Sequence, residues 1–521
     1  MKKIEIYDTT LRDGSQGEAV FFTLQDKLKI AERLDEFGVD FIEGGWPGSN
    51  PKDELFFKRI KNKKFKNSKI VAFGSTRRKK YSVEKDPFFK KLLESEIEYI
   101  TIFGKSWDLH VRDVLKISLD ENLKLIEESI EFLKKNGRKV FFDAEHFFDG
   151  YKNNPEYALK TLLVAENSGA ERIILCDTNG GSLPHEVEDI FKKIKKKIKT
   201  PLGIHAHNDS GVAVANSIVA VKSGAVQVQG TMNGFGERCG NADLTTIIPI
   251  LQLKMGYKCI PEEKMVYLTQ LSRFIYEVAN IIPPNNQPFV GLSAFAHKGG
   301  IHIDAVSKNP ATYEHIEPSA VGNERRILLS ELSGKSTIIQ KLKGYEIEKK
   351  PEVIKKILDK IAKLENEGYQ FEAAEATFEL MVKKVLGEYE KLFKIESFRV
   401  IVEKRGKKVV SEATVKVKVD NRVEHTAGEG NGPVNALDNA LRKALIKFYP
   451  EVKNVKLTDY RVRILHPEKA TAAITRVIIE SMDEKDRWGT IGVSENIIEA
   501  SWKALLDSFE YKLLKSRDKR Q

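Results

Sequence analysis

The sequence predicts an α/β protein with an N-terminal (β/α)8 barrel of the TIM type, helical linker subdomains and a C-terminal α+β domain that contains an internal duplication. Eight short apolar runs alternate with longer amphipathic segments up to about residue 250. The segments between the runs are long enough for crossover helices, so parallel strands that close into a barrel are expected. An open doubly wound sheet is the alternative, but no GxGxxG motif follows the first strand.

The eight predicted strands of the barrel are short, and most are separated by clear helical patterns. The strands are expected at Lys3–Tyr7, Phe41–Glu43, Lys69–Phe73, Tyr99–Phe103, Lys139–Asp143, Arg172–Cys176, Leu202–His207 and Val226–Thr231. The predicted helices include Leu24–Phe37, Leu119–Lys135, Glu156–Ser168, Leu183–Ile198 and Ser210–Ser223. Apolar residues recur at helical spacing in these segments, and glycines follow two of them as termination signals.

The pattern changes twice in the second half of the chain, which predicts three domains. Residues 1–260 form the barrel, residues 261–394 form helical linker subdomains that include the charged segment Glu346–Glu367, and residues 395–521 form the α+β domain. This last domain reads as two successive strand–strand–helix units, an internal duplication. The glycine-containing stretches Gly428–Pro433 and Trp488–Ser494 are expected to be turns between strand and helix.

Composition favours a soluble globular protein. No apolar run approaches the roughly 20 residues that cross a bilayer, so no membrane contact is expected. The N-terminus passes directly into a strand pattern and leaves no room for a signal peptide. The three cysteines form no CxxC pair, which is typical of a reducing compartment, and a cytoplasmic location is therefore expected.

The net charge of +11 raises the question of nucleic-acid binding. The lysines are spread along helical patterns such as Phe191–Ile198, where apolar residues keep a helical spacing and the basic residues form a solvated face. The sequence contains no nucleic-acid-binding motif of interleaved aromatic and basic residues. We therefore expect no nucleic-acid partner, whereas a positive field favours anionic small molecules.

Polar side chains follow several predicted strands, at the end of the barrel where such folds carry their active sites. His205 and His207 lie two residues apart on a strand, so both imidazoles point to the same side. Asp13 and Asn241 follow neighbouring strands of a closed barrel and can reach the same point. Imidazole, carboxylate and amide ligands suit Zn²⁺, Mn²⁺ or a similar divalent ion. The alternative is that the histidines are hydrogen-bonded structural residues.

Three further residues of these loops are candidates for chemistry. The guanidinium of Arg12, beside Asp13, can stabilise an oxyanion, or it can form a structural salt bridge with Glu43; the two roles are compatible. Glu145 is a candidate base or the partner of a base, and a helix cap is the alternative. Cys239 lies in a loop of the same type, but no motif marks it as a nucleophile.

Three motifs of the barrel together resemble the DRE-TIM metallolyase group, whose members include isopropylmalate, homocitrate and citramalate synthases and hydroxymethylglutaryl-CoA lyase. These motifs are Asp8-Thr9-Thr10-Leu11-Arg12-Asp13-Gly14-x-Gln16, His205-x-His207-Asn208-Asp209 and Gly236-Glu237-Arg238-x-Gly240-Asn241-Ala242. The C-terminal half resembles the isopropylmalate synthase branch in its linker motifs, Gly300-Ile301-His302-x-Asp304 and Thr312-Tyr313-Glu314. The duplicated domain is similar to the leucine- or isoleucine-sensing regulatory domain of that branch.

The resemblance implies a role for each motif residue in the condensation of acetyl-CoA with a 2-oxo acid. The implied ligands of a divalent metal (Mn²⁺, Zn²⁺ or Mg²⁺) are Asp13, His205, His207 and Asn241. Arg12 would polarise the keto oxygen, oriented by Glu43, and Thr178 would bind the substrate carboxylate.

The resemblance also implies a homodimer with a shared active site. Glu145 and His302 would together remove a methyl proton from acetyl-CoA, with His302 delivered by the partner subunit. Tyr313 would belong to the same shared site. Water would then hydrolyse the thioester of the condensation product.

The segments near the predicted site also bear on which oxo acid and which effector the protein binds. Residues 43–53 and 143–151 depart from the usual isopropylmalate synthase forms and are similar to the branch that favours pyruvate. Trp46, Phe147 and Phe148 are either bulky pocket residues or core. Preference for another oxo acid, as in isopropylmalate or homocitrate synthase, is the main alternative, and a hydroxyacyl-CoA lyase is a further one. Isoleucine is the expected effector; its candidate contacts are Gly430, Asn431, Gly432, Gly489 and Ile491.

Overall fold

The protein is described by a computed structural model that covers residues 2–61, 63–328, 351–371, 374–465, 473–483 and 486–518. The chain forms two compact units. Unit 1 comprises Met1–Phe295 and Glu314–Arg325, and unit 2 comprises Ala296–Tyr313 and Arg326–Gln521. Among the described residues, no helix is long and apolar enough to cross a membrane.

Unit 1 contains a closed barrel of eight parallel strands, as predicted. The strands are β1 (Glu5–Asp8), β2 (Phe41–Gly45), β3 (Lys69–Ser75), β4 (Tyr99–Lys105), β5 (Lys139–Glu145), β6 (Arg172–Asp177), β7 (Leu202–Ala206) and β8 (Gln227–Gly230). Each strand pairs with the next, and β1 closes the barrel by pairing with β8. Several strands extend one or two residues beyond the predicted ends, which carries them into the polar segments that form the site.

The helices of unit 1 pack around this barrel. They are α1 (Leu24–Phe37), α2 (Pro51–Ile60), α3 (Pro87–Glu94), α4 (Leu119–Lys135), α5 (Phe147–Asn153), α6 (Pro155–Asn167), α7 (Pro184–Lys195), α8 (Ala213–Lys222), α9 (Leu244–Pro249) and α10 (Leu268–Val278). Local signals set several of the boundaries: α1 begins with a capping box between Thr23 and Asp26 and ends at the left-handed Gly38.

The interior of the barrel changes from apolar to polar along its axis. Tyr7, Phe41, Val71 and Phe141 form one buried cluster, with Phe41 and Phe141 in edge-to-face contact at 5.1 Å between ring centroids. Since side chains two apart on a strand share a face, the residues two positions further along β2 and β5 also point inward. These positions are carboxylates, so the aromatic layer forms the floor beneath a polar mouth.

Unit 2 contains short elements followed by two copies of a strand–strand–strand–helix motif. The elements are β9 (Ala296–His297), α11 (Gly300–Lys308), β10 (Arg326–Ile327), α12 (Pro351–Asn366), α13 (Glu375–Leu386), β11 (Lys394–Arg405), β12 (Lys408–Val419), β13 (Arg422–Gly430), α14 (Pro433–Leu445), β14 (Lys456–Leu465), β15 (Ile474–Met482), β16 (Arg487–Ser494) and α15 (Ile497–Asp518). Both three-stranded sheets are antiparallel. The predicted helix Glu346–Glu367 corresponds to α12; its first five residues lie outside the described residues.

The duplication is present, but the prediction of two strands per copy was wrong. Gly428–Pro433 and Trp488–Ser494 were expected to be turns. Instead, Gly428 and Gly430 lie in β13, and all of Trp488–Ser494, including Gly492, lies in β16. Their glycines have a packing role. A Cβ on Gly492 would lie 1.9 Å from the carbonyl oxygen of Ala500, and one on Gly428 would lie 2.6 Å from the amide nitrogen of Ala440. In each copy the third strand therefore packs directly against the helix backbone, which explains why glycine does not signal a turn here.

This close packing predicts that Gly492→Ala destabilises unit 2, because the new methyl group overlaps the backbone of α15. We expect a loss of about 1–3 kcal/mol, typical of overpacked sites, measured as a shift of the unfolding midpoint in denaturant. Gly432→Ala is the matched control, since Gly432 has no atom within 4 Å of an added Cβ. Equal effects of the two changes would contradict this account of β16.

Candidate active site

Asp13, His205 and His207 converge at the mouth of the barrel. The Nε2 atoms of the two histidines lie 3.2 Å apart, and the Asp13 Oδ2 lies 3.5 Å from His205 Nε2 and 3.8 Å from His207 Nε2. All three side chains are buried, and one ligand atom of each falls within a common sphere that can hold a metal ion. Two imidazoles and a carboxylate in this arrangement suit a divalent cation with open positions for substrate.

Asn241, the fourth predicted ligand, lies beside His207. A backbone bridge pairs Asn241 with His207, which brings the loop after β8 against the end of β7. The Asn241 Nδ2 donates to the Phe235 carbonyl at 3.1 Å, while its buried Oδ1 finds no partner among the described groups. A buried amide oxygen without a donor is costly, and a cation bound between the histidines and Asp13 would satisfy it. The residues therefore fit a metal.

Gln229 on β8 fixes the orientation of His205. Its Oε1 lies 3.0 Å from His205 Nδ1, and its Nε2 donates to Asp143 Oδ1 at 3.2 Å. Since the amide oxygen can only accept, Nδ1 of His205 carries a proton, and Nε2 is left on the side of Asp13. Burial would lower the pKa of His205, but the hydrogen bond and charge of Asp13 outweigh it and raise that pKa. Burial raises the pKa of Asp143 to about 7. Neither Gln229 nor Asp143 was identified from the sequence, because only their alignment across the barrel gives them a role.

Arg12 is held by a buried carboxylate directly beside Asp13. Its Nε donates to Glu43 Oε1 at 2.6 Å, and its Nη1 lies 3.3 Å from Asp13 Oδ2. Glu43 is fully buried and also accepts 2.5 Å hydrogen bonds from the hydroxyls of Tyr7 and Thr9. The predicted Arg12–Glu43 salt bridge is therefore present, and it leaves the outer edge of the guanidinium directed toward the cavity.

The charges of this cluster set the protonation of Asp13. Burial alone would oppose ionisation, but Arg12 and the neighbouring His205 outweigh it and hold the pKa of Asp13 well below its usual range. Burial, with the adjacent His205, lowers the pKa of His207 to about 4. Asp13 is thus a carboxylate and His207 a neutral imidazole near neutral pH, the forms that bind a metal.

Thr178 and Glu145 line the same cavity. The Thr178 Oγ1 accepts a hydrogen bond from the His146 amide at 2.8 Å, so its own proton is available to a ligand. Glu145, at the end of β5, forms an ion pair with Lys105 at the end of β4. Cys239 is exposed and does not contribute to this lining.

A wall of three aromatic side chains limits the cavity, which has a volume of about 250 Å³. Trp46 meets Phe73 and Phe103 edge-to-face at 5.8 and 5.9 Å, and Phe73 stacks on Phe103 at 5.5 Å. The guanidinium of Arg12 lies 3.8 Å above the Phe73 ring. Of the two alternatives left open for Trp46, pocket or core, this position agrees with the pocket. Phe73 and Phe103 were missed, because they ended predicted strands and read as core.

Phe147 and Phe148, the other aromatic residues considered for the pocket, belong to the core. Both are fully buried within the main hydrophobic cluster of unit 1, and their rings lie 5.9 Å apart in an edge-to-face contact. They lie on α5, after the end of β5, where the helix packs against its neighbours. They therefore do not restrict the substrate.

A buried ion pair holds Trp46 in place. Lys27 Nζ lies 2.5 Å from Asp53 Oδ1, with only 2% of the lysine side chain exposed. The other oxygen of Asp53 accepts a 3.0 Å hydrogen bond from the Trp46 amide. Gly45 has φ +140°, and a Cβ there would lie 2.5 Å from Asp53, so this close approach requires glycine.

His302 and Tyr313 lie in unit 2, where they contact each other. Their rings stack at 4.2 Å between centroids, and Tyr313 is 46% exposed. His302, on α11, is also exposed. The structure thus brings together the predicted site residues of the barrel in unit 1 and, separately, the predicted pair of unit 2.

The predicted effector contacts lie in the C-terminal copies. Gly430 ends β13, while Asn431 and Gly432 connect it to α14. Gly489 and Ile491 lie in β16, where their amides donate to the side chains of α13: Glu375 Oε1 at 3.3 Å and Thr377 Oγ1 at 3.1 Å. The edge of β16 is therefore already hydrogen-bonded within unit 2.

Comparison with known proteins identifies the family. The chain is 57% identical to the (R)-citramalate synthase of Geobacter sulfurreducens over 99% of both chains. The chain belongs to the (R)-citramalate synthase family. It is also 56% identical to the (R)-citramalate synthase of Aquifex aeolicus, again over 99% of both chains, but only 32% identical to a probable 2-isopropylmalate synthase of Methanopyrus kandleri, over 97% of both.

Three domain-family models match successive segments of the chain. Residues 3–275 match the HMGL-like family, which contains the complete barrel. Residues 289–369 match the homocitrate synthase post-HMGL domain-like family, and residues 372–513 match the LeuA allosteric (dimerisation) domain. The matches follow the order of changes in pattern along the chain.

The metal cluster predicts that Gln229→Leu weakens divalent-metal binding about 10–100-fold, because a ligand histidine loses the acceptor that fixes its tautomer. His205→Ala should abolish metal retention. Both are measured as metal content after equilibrium dialysis against Mn²⁺ or Zn²⁺. His185→Ala, which removes an exposed histidine of α7, should retain the wild-type content. Unchanged metal binding by His205→Ala would contradict the site.

Proposed function

We propose that the chain condenses acetyl-CoA with pyruvate and hydrolyses the thioester, giving (R)-citramalate and CoA. One observation carries the proposal: Arg12, the Asp13–His205–His207 cluster and Glu145 face one cavity of about 250 Å³ that three aromatic side chains restrict. The names of the most similar relatives support the same reaction. The proposed role of the citramalate is in isoleucine biosynthesis.

The proposal assigns pyruvate to the space between Arg12 and the metal cluster. Arg12 donates to the keto oxygen and compensates the negative charge that develops on it, with Glu43 fixing the guanidinium in advance. Thr178 donates its hydroxyl proton to the carboxylate of pyruvate. The divalent ion, Mn²⁺, Zn²⁺ or Mg²⁺, held by the four ligands Asp13, His205, His207 and Asn241, supplies Lewis-acid polarisation of the keto group when bound.

Carbon–carbon bond formation requires loss of a methyl proton from acetyl-CoA. Glu145 acts with His302 of the partner subunit in taking this proton, and the carbanion attacks the keto carbon of pyruvate. The resulting alkoxide is protonated, and water cleaves the thioester to release CoA and citramalate. The position of Glu145 at the cavity, held by Lys105, supports its part in this step.

Assembly and regulation form the second part of the proposal. A homodimer in which Tyr313 and His302 complete the partner's site is supported by their exposure and mutual stacking in unit 2, and by the match to the LeuA dimerisation domain.

Isoleucine is the proposed effector. Its proposed contacts are Gly430, Asn431, Gly432, Gly489 and Ile491. The amides of Gly489 and Ile491 donate to α13, and the amide of Asn431 donates to Asn435 Oδ1. The boundaries 1–260, 261–394 and 395–521 and a cytoplasmic location stay predictions.

The reaction predicts CoA thiol release that depends on both acetyl-CoA and pyruvate. We expect pyruvate to exceed 2-oxoisovalerate and 2-oxoglutarate by about 100-fold or more in kcat/KM, because the aromatic wall excludes larger substituents. Arg12→Lys should fold normally and lose most of kcat, since an ammonium cannot reproduce the planar fork. A preference for another oxo acid would indicate a related synthase, such as isopropylmalate or homocitrate synthase. Cleavage of a hydroxyacyl-CoA to acetyl-CoA and an oxo acid, without release of a free thiol, would indicate a lyase instead.

The aromatic wall predicts that Trp46→Leu shifts selectivity toward 2-oxoisovalerate by roughly tenfold in the ratio of kcat/KM values, because the cavity gains space for the isopropyl group. The ratio is measured with the two oxo acids at saturating acetyl-CoA. Phe89→Leu is the matched control: Phe89 is buried on α3 and belongs to the core of unit 1. A shift of equal size in the control would show that selectivity does not depend on the wall.

A further inference from the structure

The residue that joins β5 to α5, His146, has a strained backbone. Its φ is +54° and its ψ is +34°, in the left-handed region. Residues other than glycine rarely adopt this conformation, and it persists only where the surrounding contacts impose it. Such strain is concentrated at functional sites. Because His146 directly follows Glu145, the strained residue lies next to the candidate base.

The imidazole of His146 is buried and is held by two sets of contacts. Its Nδ1 lies 3.1 Å from Asp149 Oδ2, which also accepts a 3.1 Å hydrogen bond from Asn179 Nδ2. Its ring packs against the His110 ring at 4.3 Å between centroids, and the Trp107 ring stacks on His110 at 5.4 Å. Burial, with the adjacent His146, lowers the pKa of His110, so the His110 ring packs in its neutral form near neutral pH.

The backbone around His146 connects the ends of three strands. Its amide donates to Thr178 Oγ1 at 2.8 Å, which ties the end of β5 to the loop after β6. The Glu145 carbonyl accepts a 3.1 Å hydrogen bond from the Ser106 amide, after the end of β4. Since φ is the rotation about the N–Cα bond, a fixed imidazole and a fixed φ together set the direction of the His146 amide. The position of the Thr178 hydroxyl therefore depends on the side chain of His146.

Glu145 and Thr178 have to act on neighbouring atoms in the proposed reaction. Thr178 binds the carboxylate of pyruvate, and Glu145 takes a proton from the methyl group that bonds to the adjacent keto carbon. A general base acts only within hydrogen-bond reach of the proton that it removes. A misplacement of about 1 Å can cost roughly 100-fold in rate. A rigid connection between the two residues therefore bears directly on catalysis.

We infer that His146 is a positioning residue that sets the spacing between Glu145 and Thr178, with Asp149 and His110 holding its imidazole. The inference rests on the proposed function for the roles of Glu145 and Thr178. Both of these residues line the substrate cavity, whereas His146 is not part of the lining that the described residues form. His146 therefore acts through its two neighbours and not on the substrate itself.

The test compares His146→Ala, His146→Asn and Glu96→Ala in the CoA thiol release assay. Alanine removes the contacts of the imidazole, whereas asparagine adopts the left-handed conformation more easily and offers an amide donor toward Asp149. Glu96 is the matched control, because it is exposed, has φ +56° and precedes β4, at the opposite end of the barrel. Glu96→Ala thus places alanine in the same strained conformation away from the cavity.

We expect His146→Ala to lower kcat and to raise the KM for pyruvate, so that kcat/KM falls roughly 100-fold. His146→Asn should recover most of this loss, and Glu96→Ala should keep the wild-type kcat/KM. The Mn²⁺ content after equilibrium dialysis should be equal in all four proteins, because the metal cluster does not include His146. This measurement separates a change in spacing from general damage to the barrel.

Three results would overturn the inference. These are wild-type kinetics of His146→Ala, equal losses in His146→Ala and Glu96→Ala, and a loss that is accompanied by a lower Mn²⁺ content and that asparagine does not restore. If His146→Ala does not fold, Asp149→Ala replaces it, since this change removes the carboxylate that holds the imidazole. Asp149→Ala should lower kcat/KM for pyruvate by a smaller factor, and wild-type kinetics of this variant would overturn the inference.

Calorimetry with pyruvate and the Mn²⁺-loaded proteins distinguishes failure of this inference from failure of the proposed function. Weaker pyruvate binding by His146→Ala than by the wild type and Glu96→Ala supports the positioning role even if the wild type releases no CoA. Wild-type turnover together with identical kinetics and pyruvate affinities of all variants would retain the function and reject the positioning role. A wild-type protein that neither binds nor consumes pyruvate would reject both.

Discussion

The contact between Arg12 and the buried Glu43 is the interaction on which the site depends. Glu43 is fully buried, so its charge requires compensation. Arg12 supplies it at 2.6 Å, with the hydroxyls of Tyr7 and Thr9 as further donors. The same guanidinium is thereby fixed 3.3 Å from Asp13. One ion pair thus orients the guanidinium that lines the cavity and helps to keep the Asp13 carboxylate ionised.

The barrel provides this arrangement through a simple alternation of side chains. An inward layer around Tyr7, Phe41 and Phe141 closes the interior, and the next inward layer carries charged and amide groups. Water is excluded from below, which strengthens each electrostatic interaction above the layer. The hydrogen bonds from His205 to Gln229 and from Gln229 to Asp143 then continue the polar layer across the barrel. The aromatic wall of Trp46, Phe73 and Phe103 lies beside this layer and lines the same cavity.

The sequence predicted the barrel and much of its mouth, because strand periodicity and the His205-x-His207 spacing are local signals. It could not identify Gln229 or the lining role of Phe73, since these depend on which residues meet across a closed sheet. Trp46 was either a pocket or a core residue until its place in the cavity wall, beside Phe73 and Phe103, was known. Gly428 and Gly492 were misread for a different reason: glycine marks close helix–strand packing as well as turns, and only the partner backbone distinguishes the two.

The proposed metal site holds one divalent ion beside Arg12, bound by Asp13, His205, His207 and Asn241. Crystals of the protein soaked with Mn²⁺, measured at the manganese absorption edge, test it most directly. The account predicts one anomalous peak within bonding distance of the Asp13 carboxylate, both histidine Nε2 atoms and the Asn241 Oδ1. A peak at other residues would contradict this site. So would the absence of a peak in this cluster when the protein is saturated with Mn²⁺ in solution.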